Sequence, residues 1–153
     1  MEKRKLGRQQ FKEIENNNKL KTLVDSLLKN SVSSLQLETF SLHEIQIARK
    51  CAQIKINYFI LACHRGEIEI VSKMLRLGID PNVTGTLIGY PNNALIACIY
   101  GRNTCLDILL QNDKIDTNFF YHGVKTIFEV ILEAPCSLAT KKNLFLRFLS
   151  PQY

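Results

Sequence analysis

Apolar positions recur along this chain with helical spacing from residue 20 onward. "LKTLVDSLLKN" sets Leu20, Leu23, Val24, Leu27 and Leu28 three and four residues apart, the single apolar face of an amphipathic helix. The Ser-rich segment from Asn30 to Ser34 breaks it. A second periodic stretch carries Leu35, Leu37, Phe40, Leu42, Ile45 and Ile47, with no clear end. From Asn57, "NYFILACHRG" reads as a short apolar helix that stops at Gly66. "EIEIVSKMLRLG" then places Ile68, Val71, Met74 and Leu75 on one face and stops at Gly78, because glycine enters the left-handed region freely. In "GIDPN", Asp80 and Asn82 can bond to nearby backbone and Pro81 ends any helix, so this is a turn. The first 18 residues are polar, which predicts a basic N-terminal tail over 1–18 and a folded domain over 19–150.

Shifted by 35 residues, the pattern returns. "ILACHRGEIEIVSKML" becomes "LIACIYGRNTCLDILL": Ala62, Cys63 and Gly66 meet Ala97, Cys98 and Gly101, while Met74 and Leu75 meet Leu109 and Leu110. One further residue in the second unit sets Asp80 opposite Asp116 and Asn82 opposite Asn118. A period of this size is the mark of a solenoid, in which helix pairs too small to bury their own apolar faces stack to share one core. Asn57 and Asn92 are the expected caps of the two first helices. "TIFEVILEAPCSLATKKNLFLRFL" reads as a last pair, with helices near 126–133 and 136–149, and the segments "TLVDSLLKN" and "SSLQLETFSLH" as a divergent first pair.

Residues 57–118 resemble the ankyrin-repeat family. Ala62, Gly66, Ile70, Val71, Leu75, Gly78, Asp80 and Asn82 match its pattern, as do Ala97, Gly101, Leu106, Leu109, Leu110, Asp116 and Asn118. The family's Thr-Pro-Leu-His opening is replaced by "NYFI" and "NNAL", which removes its Thr–His hydrogen-bond lattice, and the loop "VTGTLIGYP" is longer than the family norm. The resemblance implies an all-α fold, an ankyrin-like solenoid of stacked antiparallel helix pairs. It also implies a non-enzymatic module that binds another protein through its loops and first-helix face. Small free-standing members resemble inhibitors, including pathogen-encoded modulators of host regulatory proteins.

Charge and chemistry adjust this picture only a little. The formal charge of +6 comes largely from Lys3, Arg4, Lys5, Arg8 and Lys12, with Lys141, Lys142 and Arg147 near the other end. Nucleic acid or an acidic membrane surface is therefore the alternative partner. No run approaches 18 apolar residues, so no transmembrane segment is expected. The five Cys lack CxxC spacing, which points to free buried thiols in a reducing compartment: the cytoplasm, with the nucleus second. His43, His64 and His122 are isolated from one another; neither a catalytic site nor a metal or cofactor is expected. Cys63 and Cys98 share one small-residue slot, which argues for packing rather than reactivity.

The residues left for display are Tyr58, His64 and Arg65 in one unit and Tyr100 and Arg102 in the next. The loops add Leu87, Ile88 and Tyr90, then Phe119, Phe120 and Tyr121. "TLIGYP" either folds onto the stack or forms part of a docking patch. Two aromatic loops on one side of consecutive units would make a single ridge, the preferred contact surface. A monomer or weak dimer is expected.

Overall fold

The computed structural model describes residues 7–149, whose regular elements are all helices. Lys3, Arg4 and Lys5 lie outside the described residues, as does the last residue of the expected 19–150 domain. The described elements are α1 (Arg8–Glu15), α2 (Asn18–Leu28), α3 (Ser34–Glu38), α4 (Leu42–Arg65), α5 (Ile68–Arg76), α6 (Ala94–Tyr100), a 3-10 turn (Asn103–Cys105), α7 (Leu106–Leu110), α8 (Ile127–Glu133) and α9 (Leu138–Leu149).

The N-terminal third differs from the expectation. Residues 8–15 form a helix rather than a polar tail, and α1 lays Ile14 into a core shared with α2 and α4. Asn17 caps α2, its side chain accepting from the amides of Lys19 and Leu20. Leu20, Leu23 and Val24 are buried as their spacing predicts. The expected first pair, however, does not form. The short α3 buries no residue, and α2 packs against α4 instead.

α4 is the long element that the periodicity divided in two. It opens with a capping box in which Ser41 accepts from the Glu44 amide and the Glu44 carboxylate accepts from the Ser41 amide. That backbone hydrogen bond holds the Glu44 carboxyl below its usual range. No Gly or Pro then interrupts residues 42–65, so nothing ends the helix before Gly66. Asn57 is therefore a mid-helix residue and not a cap. Ile47, Ala48, Cys51 and Ala52 bury against α1 and α2, whereas Phe59, Ile60, Ala62 and Cys63 enter a second, larger core.

That larger core collects the inner faces of α4 to α9, from Phe59 through Val71, the 94–99 run, Leu106 and Leu109 to Ile131 and Leu144. α6 packs along α4, and six of its seven residues are buried. Asn93, not Asn92, caps α6 through bonds from the Leu95 and Ile96 amides. On α5, Val71 is buried and Met74 and Leu75 pack against the core, but Ile68 is exposed. The Gly78 stop holds: the Ile79 amide reaches back to the Met74 carbonyl at 3.1 Å. The last pair comes close to its expected bounds, with α8 opened by a Thr126–Glu129 capping box.

Candidate interaction surface

The turns after α5 and α7 repeat one local device. The Asn82 amide donates to the Asp80 carboxylate at 2.9 Å, and the Asn118 amide donates to the Asp116 carboxylate at 2.9 Å. The first turn also grips the second. The Asn82 side-chain amide donates to the Lys114 carbonyl at 2.7 Å, while its oxygen accepts from the Asp116 amide at 2.8 Å. One asparagine thus closes its own turn and fixes the position of the next.

The opposite corners are tied as well. The Arg102 amide donates to the His64 carbonyl at 2.9 Å, and the Thr104 hydroxyl donates to the Gly66 carbonyl at 3.1 Å. A Cβ on Gly101 would stand 2.1 Å from that His64 carbonyl oxygen, so the approach requires glycine. His64 belongs to the last turn of α4.

The loop from Thr84 to Asn92 lies back along α4. Gln53 donates to the Thr84 carbonyl at 3.1 Å, and the Asn57 oxygen accepts from the Thr86 amide at 2.8 Å. Asn57, lost as a cap, therefore pins this loop. Farther along, the Tyr90 ring meets His64 edge to face, with centroids 5.0 Å apart at 87°. Leu87 is half-buried, and Ile88 is 79% exposed.

The expected display residues fall into two groups. Tyr58, Arg65, Ile88, Arg102 and Phe120 are exposed. His64, Leu87, Tyr90, Tyr100, Phe119 and Tyr121 are half-buried, and the last three pack against the larger core. Burial, with the nearby Tyr100 hydroxyl, raises the Tyr121 phenol above its ordinary pKa. Tyr121 also pairs by backbone with Lys125, closing a small hairpin. Tyr90 thus faces His64, and Tyr121 faces His122 and the core. Of the expected loop residues, Ile88 and Phe120 are the exposed ones.

The thiols sit beneath this surface. Cys63, Cys98 and Cys105 are fully buried and free. The hydrogen bond between Cys63 and Cys98, together with burial, pushes the Cys63 thiol far up, and burial raises Cys105 to about 11. The Cys63 and Cys105 thiols are therefore neutral at physiological pH. Among the described residues, no three His, Cys, Asp or Glu side chains converge as a metal site would need, and no helix is long and apolar enough to cross a membrane.

Compared with known proteins, the chain matches no family model, no curated protein and no solved structure.

Proposed function

We propose that this chain is a non-enzymatic protein-interaction module, built as an ankyrin-like solenoid of stacked helix pairs. The observation that carries the reading is the lock between the corners and turns of two successive pairs. His64 is tied to Arg102, and Asn82 to Lys114 and Asp116. Side chains spent on such stacking are shared core, and the outer positions remain for recognition. Tyr58, Ile88 and Phe120 are large, exposed and anchored on this frame, as interface anchors need to be. The mode of action would be occupancy, covering a regulatory partner's surface and excluding its usual ligand, as an inhibitor or a pathogen-encoded modulator does. Five free cysteines fit the cytoplasm or nucleus.

Binding of nucleic acid or acidic membranes has less behind it. Of the C-terminal cations, Lys141 donates to the Leu132 carbonyl and Arg147 pairs with Asp107. The test is affinity capture from a cell extract, with the wild type beside a Tyr58→Ala/Ile88→Asp/Phe120→Ala variant. These positions are exposed, so the fold should survive the changes. Selective loss of a stoichiometric protein partner is expected. An unchanged set of captured proteins, or a nucleic-acid species lost steeply with salt, would refute the reading.

A further inference from the structure

Between the two tied corners lies an open notch of about 410 Å³, lined by His64, Arg65, Gly101 and Arg102. Both arginines are exposed. Among the described residues neither guanidinium makes an ion pair or a side-chain hydrogen bond. Each comes from a different helix pair, yet both are held at one place by the Arg102–His64 and Thr104–Gly66 hydrogen bonds. The close approach at Gly101 leaves that backbone little room to relax. Tyr90, brought in by the loop, stands against the imidazole wall, and Ile88 projects two residues earlier.

We infer that this notch is an anion-binding site for the carboxylates of an acidic peptide segment in a partner protein. The inference rests on the protein-binding reading and names the partner's chemistry. A guanidinium offers a planar fork that matches a carboxylate, and two forks on a fixed frame select a pair of acidic side chains. Ile88 and Tyr90 would then receive a large apolar residue beside those acids. A nucleic-acid backbone fits less well. It gains its affinity from many phosphate contacts, whereas here Glu67 and Glu69 follow at once at the start of α5 and end the positive region.

The test is fluorescence anisotropy on the full chain with four labelled probes. They are a twelve-residue peptide of Glu, Asp and Phe, the same peptide with Gln and Asn for the acids, the same peptide with Lys for the acids, and a twelve-nucleotide oligouridine. The acidic peptide should bind at least tenfold tighter than its amide counterpart. Arg65→Gln/Arg102→Gln should abolish that preference. Arg65→Glu/Arg102→Glu should instead prefer a Lys-substituted peptide, a gain that a merely unfolded variant cannot show. Acidic-peptide binding indifferent to both arginines would overturn the inference. So would oligouridine binding that is the tighter and disappears with the arginines. If the notch fails in this way while the Tyr58→Ala/Ile88→Asp/Phe120→Ala variant still loses its captured partner, the protein-binding reading stands without it.

Discussion

Gly66 and Gly101 occupy the same position in two successive helix pairs, and each is glycine for a different reason. Gly66 follows α4 at φ 73°, in the left-handed region, where the Glu67 amide can return to the Ala62 carbonyl at 3.0 Å. Gly101 has φ −104°, which any residue adopts, but its missing side chain admits the His64 backbone. The first glycine ends a helix; the second lets the next pair dock on it. Gly66 and Gly101 thus match in sequence, while the physical demand on each is different.

Substitutions separate the two demands. Gly101→Ala has the largest expected effect, about 3 kcal/mol of lost stability, because the added Cβ meets backbone at 2.1 Å and no side chain can move aside. Chemical denaturation would measure it. Wild-type stability in that variant would show that the corner is not closely packed. Gly66→Ala should cost less, about 2 kcal/mol, as strain at positive φ plus a clash with the Thr104 hydroxyl 2.3 Å away. Unlike the first, this clash can be relieved. In a Thr104→Ala background the Gly66→Ala cost should fall to about 1 kcal/mol, the conformational part alone. Equal costs in both backgrounds would contradict the assignment.

The smallest effect comes from the thiols below these corners. A Cys105 thiol raised from 9.0 to about 11 keeps its proton in the fold and loses it on unfolding over that interval. Its contribution is thus complete below about pH 9 and lost as pH rises toward 11. Stability should fall by about 1 kcal/mol by pH 10 from this group, with no effect at pH 7. Cys105→Ala should make the alkaline decline shallower; an unchanged decline would show that the thiol titrates normally.

The middle of the chain was legible because its signals are local and repeated. Cys63 and Cys98 recur in one slot and prove to touch, and the Asp80–Asn82 and Asp116–Asn118 turns use the same hydrogen bond. α4 was harder to read. Its apolar positions serve two cores in succession, so they change face midway and resemble two helices. The Ser41–Glu44 capping box and the absence of Gly or Pro over 42–65 were signals that it starts early and runs on. In α1 a single buried residue, Ile14, gives no periodicity to detect. At the candidate site, Arg65 and Arg102 could be found as the arginines flanking the matching glycines, one just before Gly66 and the other just after Gly101. The contact of Tyr90 with His64 could not, since it depends on Asn57 and Gln53 holding a loop that shares no pattern with them.

Everything proposed for the surface depends on the two helix pairs behaving as one rigid body at the His64–Gly101 corner. Native-state hydrogen exchange of the Arg102 amide, which donates to the His64 carbonyl, tests this most directly. The expected result is an opening free energy equal to that of the buried Cys63 amide, with both lowered together in Gly101→Ala. An Arg102 amide exchanging a hundredfold faster than Cys63, with α4 still protected, would mean that the pairs part freely and that the notch between them is not a formed site.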